Sequence, residues 1–312
     1  MSALSTHRPD ATATARRAPR PAAKQPVQYK GAIIGFLAPF MTLFVLFYLV
    51  PIGYAVYQSF FKVERVGAFG PPTQVFGGLT QYAQVFQSEE FLSSLLRVLV
   101  FFFISIPVQL GIALIFALLL DSTVLRAKKF FRVSFFAPYA VPGVIAALMW
   151  GYLYVPSLSP FPILTENLNL LGSGLVIFSI ANVVNWVFTG YNMLIIYSAL
   201  QAIPEEISEA ARADGAGQFR IAWSIKIPIV TPALILTGVF SIIGTLQLFN
   251  EPTVFRTFSN AVNSNYTPNM VVYATSSVPN YNLAAAYSVV LALTTFVLSF
   301  VFMKLTQKRA FE

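Results

Sequence analysis

The sequence predicts an all-α protein that crosses a membrane six times. Three observations predict it. The chain of 312 residues is 56% hydrophobic and 15% aromatic but only 10% charged, the composition of a membrane protein. Its apolar residues fall in charge-free runs of about 20 residues or more, the length a helix needs to cross the hydrocarbon core. Its Lys and Arg gather on alternate connections between those runs, as positive charge does on cytoplasmic loops.

The elements follow in order. Residues 1–30 are polar, rich in Ala, Pro and Arg, and lack apolar periodicity; they read as a disordered cytoplasmic tail. The apolar run from Gly31 to Phe61 is far longer than the apolar region of a signal peptide and reads as a retained first span. The six spans lie near 32–60, 96–120, 134–156, 175–200, 227–249 and 283–304. Pro39, Pro51, Pro107, Pro138, Pro142 and Pro232 fall inside or at the ends of these spans, where neighbouring helices can satisfy the freed carbonyls. With both termini inside, 16 Lys and Arg face the cytoplasm and four (Lys62, Arg65, Arg97 and Arg256) lie outside, the favoured arrangement. Arg97, at the outer end of the second span, reads as snorkelling to headgroups. The outer segments 62–93 and 250–282 are long and rich in Gly, Pro or aromatic residues, which marks functional or disordered loops.

Several chemistries are excluded. There is no Cys, and the one His is His7 in the tail, so neither a thiolate metal site nor a His-based triad is expected. No Gly-Lys dipeptide exists, so the chain has no phosphate-binding loop for ATP. The net charge of +8 is scattered over loops and forms no stripe for nucleic acid. No catalytic residue, cofactor or metal is expected in this chain.

Between the fourth and fifth runs lies a charged island. Glu205, Glu206, Glu209, Arg212, Asp214, Arg220 and Lys226 fall within 22 positions. Pro204 suits a helix start, and the two Glu suit the first turn beside the helix dipole. Ala210, Ala211 and Ala213 favour helix; Asp214-Gly215-Ala216-Gly217 supplies a stop. Two readings fit: a helix resting on lipid headgroups, or one whose small residues admit another surface closely while Glu209 meets a cation on it. The acidic composition fits headgroups poorly.

The pattern Glu209-Ala210-Ala211, three residues, Gly215, nine residues, Ile225-Lys226-Ile227-Pro228 resembles the signature of the integral membrane subunits of binding-protein-dependent ABC importers. The one departure is Ile227 where that family has Leu. Leu200 to Glu206 and Asp214-Gly215-Ala216 look like the carbohydrate branch, the maltose-type permeases. The resemblance implies a permease domain over 31–309 in the bacterial cytoplasmic (inner) membrane, with a coupling helix near 204–216. Glu209, Ala210, Ala211, Asp214, Gly215 and Pro228 would contact a cytoplasmic ATPase. It also implies two ATP-binding subunits carrying ATP and Mg, a second permease subunit (a paralogue or a second copy), an extracytoplasmic solute-binding protein and a sugar substrate.

Polar side chains within spans are costly and tend to face a bundle interior or a pathway. A sugar wants amides, hydroxyls and an aromatic plate. Asn182, Asn185, Trp186 and Asn192 on the fourth span, Ser241, Gln247 and Asn250 on the fifth, and Tyr287 on the sixth supply those types and form the candidate pathway. The alternative for each is a hydrogen bond that glues helices together. Glu251, at the outer end of the fifth span, reads as a contact for a binding protein. Other functions remain open: an importer for an amino acid or phosphorylated polyol, an ion-coupled secondary transporter, or a membrane-embedded transferase. The near absence of charge in the spans disfavours the ion-coupled reading.

Overall fold

The computed structural model describes residues 30–65, 67, 70–277 and 280–310; the predicted tail, apart from Lys30, lies outside them. The chain divides into two units, Met1–Pro51 and Ile52–Glu312. The first holds α1 (Lys30–Phe44) and a π-turn (Val45–Leu49), with α2 (Val50–Gln58) next in sequence. The π-turn is widened so that the Val50 amide reaches the Val45 carbonyl, just before Pro51, which brings no N–H of its own.

After α2 the second unit holds a hairpin that the hydropathy pattern does not announce. β1 (Phe61–Arg65) and β2 (Pro72–Phe76) form an antiparallel hairpin, with Phe61 opposite Phe76 and Arg65 opposite Pro72. Helix α3 (Thr80–Gln87) follows. The segment 62–93, expected outside, therefore holds a hairpin and a helix among its described residues. Next comes α4 (Glu89–Asp121), longer than the expected second span. Ser88 caps it, its hydroxyl accepting from the Phe91 amide at 3.3 Å, and Glu89 and Glu90 occupy its first turn.

The third span is corrected. Instead of one helix over 134–156, the chain forms α5 (Lys128–Phe136), a 3-10 turn (Ala137–Ala140) and α6 (Gly143–Tyr154). The two parts are bent by 96°. Val141, forced towards extended backbone by the proline after it, sits at φ −82, ψ 125, and Pro142 brings no amide to continue the helix. A short α7 (Pro162–Asn167) leads to α8 (Val176–Leu200), the fourth span as expected.

The charged island folds as α9 (Glu205–Ala213) and α10 (Gln218–Ile221). A second π-turn, Ala222–Lys226, runs into α11 (Ile227–Leu246). Then come α12 (Asn250–Phe255), α13 (Pro268–Ser277) and α14 (Tyr281–Ala310). Five helices among the described residues are long and apolar enough to cross a membrane, six if the bent pair counts as one span.

Small residues bring the long helices together. Ala113 and Ala117 of α4 are fully buried beside Met193 and Ile196 of α8 and Val230 of α11, the close approach that small side chains permit in a membrane. Gly190 takes this furthest: a Cβ there would lie 2.0 Å from the Phe135 carbonyl oxygen, so α8 touches the α5 backbone directly. A second core joins α6, α8 and α12 through Ala146, Ala147, Val183, Val187 and Phe255. Large apolar residues such as Phe103 and Phe296 are exposed, as lipid-facing positions would be.

Candidate functional site

Three long helices meet on a polar knot. Gln109 of α4, Asn192 of α8 and Ser241 of α11 form a closed triangle. The Asn192 amide donates to Gln109 Oε1 at 3.1 Å and to Ser241 Oγ at 3.2 Å, and Ser241 Oγ donates to Gln109 Oε1 at 2.8 Å. Gln109 and Asn192 are 3% and 2% exposed. Such groups are expensive in an apolar interior unless satisfied, and here each finds a partner.

The knot forms the floor of a cavity of about 290 Å³, near the lower end for small-molecule sites. Gln247 and Asn250, at the break between α11 and α12, line it from one side, and Phe188, Tyr191, Phe240 and Phe249 supply aromatic wall. Four predicted pathway residues (Asn192, Ser241, Gln247 and Asn250) thus converge. Gln247 also lines an open groove of about 680 Å³ with Asn269, Ser288 and Thr295. Glu251 lines the cavity at 9% exposure, and a Cβ on Gly143 would lie 3.0 Å from its Oε1. This corrects its reading as an outward contact: its carboxylate lies beside the start of α6, where the helix dipole favours an anion.

The other predicted pathway residues go elsewhere. Asn182, Asn185 and Trp186 line a separate cavity of about 320 Å³ with Ser134 and Pro138. Asn182 donates to the Tyr154 hydroxyl at 2.8 Å and Asn185 accepts from Ser105 at 2.7 Å; Trp186 meets Trp150 edge-on, centroids 6.0 Å apart. Tyr287 lines none of these three cavities. It is buried and stacks on Phe91 at 4.6 Å within the core under α3. Arg97 is also corrected: it donates to the Tyr266 carbonyl at 2.6 Å and lies 4.6 Å from that ring's centroid. It pins the 256–267 segment instead of reaching for headgroups. Burial pushes the Tyr266 phenol above its ordinary pKa, and the Arg97 charge pulls it part of the way back.

On α9, Glu209 and Ala210 are exposed and Ala211 is half-buried, and Asp214 and Gly215 just past its end are exposed, so the motif lies open on the surface. Gly215 has φ +82, the left-handed position a helix stop needs. The Gly215 amide donates to the Arg212 carbonyl at 3.0 Å and the Ala216 amide to that of Ala211 at 2.9 Å. Pro228 is exposed at the second position of α11. Just before it the Ile227 amide reaches back to Ala222, repeating the pattern at Pro51.

Behind α9 lies a polar cavity of about 450 Å³ that includes Asp121, Gln201, Ser208, Arg212 and Lys226. The Asp121 side chain, 9% exposed, forms an ion pair with Lys226 and accepts from Gln201 Nε2 at 2.8 Å. Neither Gln109 nor Asp121 stood out in the sequence. Each is a lone polar residue at the middle or end of an apolar run, and only the three-dimensional meeting of helices distinguishes it.

The family described as binding-protein-dependent transport system inner membrane component matches residues 75–309. The sn-glycerol-3-phosphate transport system permease protein UgpA of Yersinia pseudotuberculosis is 30% identical over 227 residues, 69% of this chain and 74% of that protein. The Agrobacterium fabrum protein of the same name is 29% identical over 240 residues, 73% of this chain and 80% of that protein. Among solved structures, a chain of a bacterial alginate ABC transporter in complex with an alginate pentasaccharide-bound periplasmic protein superposes with a TM-score of 0.74. It covers 91% of this chain and 98% of that one at 16% identity.

Proposed function

Since the chain belongs to the family of binding-protein-dependent transport system inner membrane components, we propose that it lines the path of an ATP-driven ABC importer for a sugar delivered by a solute-binding protein. It is a multi-pass protein of the inner membrane. The observation that carries the substrate class is the cavity over the Gln109–Asn192–Ser241 knot, with amides, hydroxyls and aromatic walls in one place. Amides and hydroxyls match sugar hydroxyls, and the rings match its apolar faces.

The relatives named for glycerol 3-phosphate suggest a phosphorylated substrate as a second reading. The lining disfavours it. Among the described residues no Lys or Arg lines the cavity, so a phosphate would enter with no cation to meet it. A neutral sugar is the better fit.

Two ATP-binding subunits, holding ATP and Mg, and a second membrane subunit, a paralogue or a copy of this chain, complete the assembly. In this reading the termini and the 201–226 segment are cytoplasmic, and α9 docks in a cleft of one ATPase. The small Ala210 and Gly215 allow close approach, and Glu209 offers its carboxylate to a cation there. ATPase closure drags α9 and rocks the spans.

The test is ATP hydrolysis by the purified assembly with its binding protein, against maltose, trehalose, sn-glycerol 3-phosphate and glutamine. Stimulation by a neutral sugar supports the reading; stimulation by glutamine or the phosphate alone overturns the substrate class.

A further inference from the structure

Asp121 is the last residue of α4, and three segments converge on it. Gln201, the first residue past α8, donates to its Oδ1 at 2.8 Å. Lys226, the residue before α11, forms an ion pair with its Oδ2. Lys128, the first residue of α5, donates to its backbone carbonyl at 3.4 Å. Gln201 and Lys226 are the two ends of the segment that carries α9. One carboxylate therefore holds both ends of that segment to the foot of a third helix. The side chains of Asp121 and Lys226 are only 9% and 18% exposed, so the pair is little weakened by solvent.

A loop tethered at one end can swing without moving its anchor. A loop tethered at both ends to one point passes more of its movement to that point: a rigid-body displacement of the 201–226 segment must move the foot of α4 or break the tether. The same α4 carries Gln109 of the cavity floor, twelve residues away in the chain, on a continuous helix. That is a rigid element joining the exposed helix to the polar cavity.

We propose that Asp121 is a positioning residue that couples movement of α9 to α4, and through it to the floor of the cavity. The inference rests on the importer reading above. The test uses the full assembly in lipid vesicles with its binding protein and whichever of maltose, trehalose and sn-glycerol 3-phosphate most stimulates the wild type. The readout is the ratio of ATP hydrolysis with and without the loaded binding protein, together with solute moved per ATP.

Asp121→Asn, which can still accept from Gln201 but has no charge for Lys226, is expected to lower the ratio about tenfold, within the range of couplings between sites. The exchange Asp121→Lys with Lys226→Asp restores the pair and should recover at least half of the loss. If Asp121→Asn lowers the amount of assembly, Gln201→Leu is read instead. It removes one tether only, and a drop of about threefold is expected. A wild-type ratio in the assembled Asp121→Asn or Gln201→Leu protein overturns the proposal, as does a lost ratio that the exchange leaves unrecovered. Failure of the importer reading looks different: no loaded binding protein then stimulates even the wild type.

Discussion

Gly190→Ala is the sharpest probe of how this bundle is built. A methyl group at 190 would lie 2.0 Å from the Phe135 oxygen, 2.7 Å from its carbonyl carbon and 2.8 Å from the Phe136 Cα. Cβ contacts below 3.0 Å essentially do not occur, and all three obstacles are backbone, so no side chain can swing aside. The two segments must part by about 1 Å at that point. Around it, Phe135 stacks on Phe116 at 4.1 Å and Tyr139 stacks on Tyr191 at 4.8 Å; Tyr191 is a wall of the polar cavity. Overpacking a core costs about 1–3 kcal/mol. With rigid backbone on both sides, the upper figure applies, about 3 kcal/mol, or on the order of 100-fold in the folding equilibrium. On the scale of soluble domains, that lowers the melting temperature by about 6–12 °C. The assay is the loss of monodisperse protein on heating in detergent, with Gly111→Ala as the control. That glycine is also helical, but a Cβ there meets nothing within 4 Å, and the substitution should hold or gain about 0.5–1 kcal/mol. A Gly190→Ala protein that melts within about 2 °C of wild type and transports normally would refute the claim that backbone contact at this point holds α5 on α8.

Four other outcomes are expected. Asn192→Ala and Gln109→Ala should each reduce transport in assembled complex by leaving buried groups unpaired, at about 1–3 kcal/mol each; the double variant should cost less than the two together, and strict additivity would dissolve the knot. Gly215→Leu must hold a left-handed backbone at about 1–2 kcal/mol, and Glu209→Lys places a cation where the partner's cation is expected. Both should lower co-purification of the ATPase at matched abundance, and wild-type recovery would remove α9 as the docking helix. A cysteine placed at 217 should resist an impermeant reagent added outside sealed cells, and labelling there would invert the topology. Tyr287→Phe should transport like wild type because its ring, stacked on Phe91, lies in a core away from the cavity; a transport loss would return Tyr287 to the pathway.

The spans were legible because hydropathy is additive along a chain. Val176–Leu200 falls within a residue of the expected run, and Glu205–Ala213 lies inside the expected loop helix. The hairpin was not legible. Its strands are five residues each, too short for alternation to stand out, and the Gly- and Pro-rich stretch between Gly67 and Gly78 masks them. The bend at Val141 was half visible. Both Pro138 and Pro142 were noted, but membrane helices tolerate single prolines, and the sequence does not say which pair will break one. Within the site, residue type was readable and grouping was not. Asn185 and Asn192 lie seven residues apart on one helix, yet line different cavities. Tyr287 has the chemistry of a sugar plate and is used as a core ring. Gln109 and Asp121 matter through partners more than 70 positions away, which composition cannot reveal.

The bend between α5 and α6 has a consequence for how the protein is made. Its two arms leave the ribosome before α8, and until α8 follows, nothing occupies the Gly190 contact that seats the Phe135 backbone. Neither α5, of nine residues, nor α6, of 12, is long enough to span a bilayer alone. A crossing by the third segment therefore needs both arms together, and the α8 contact at Gly190 is what seats the first of them. Insertion of the third and fourth segments is expected to be cooperative, and truncation between them should leave a product that proteases or chaperones recognise.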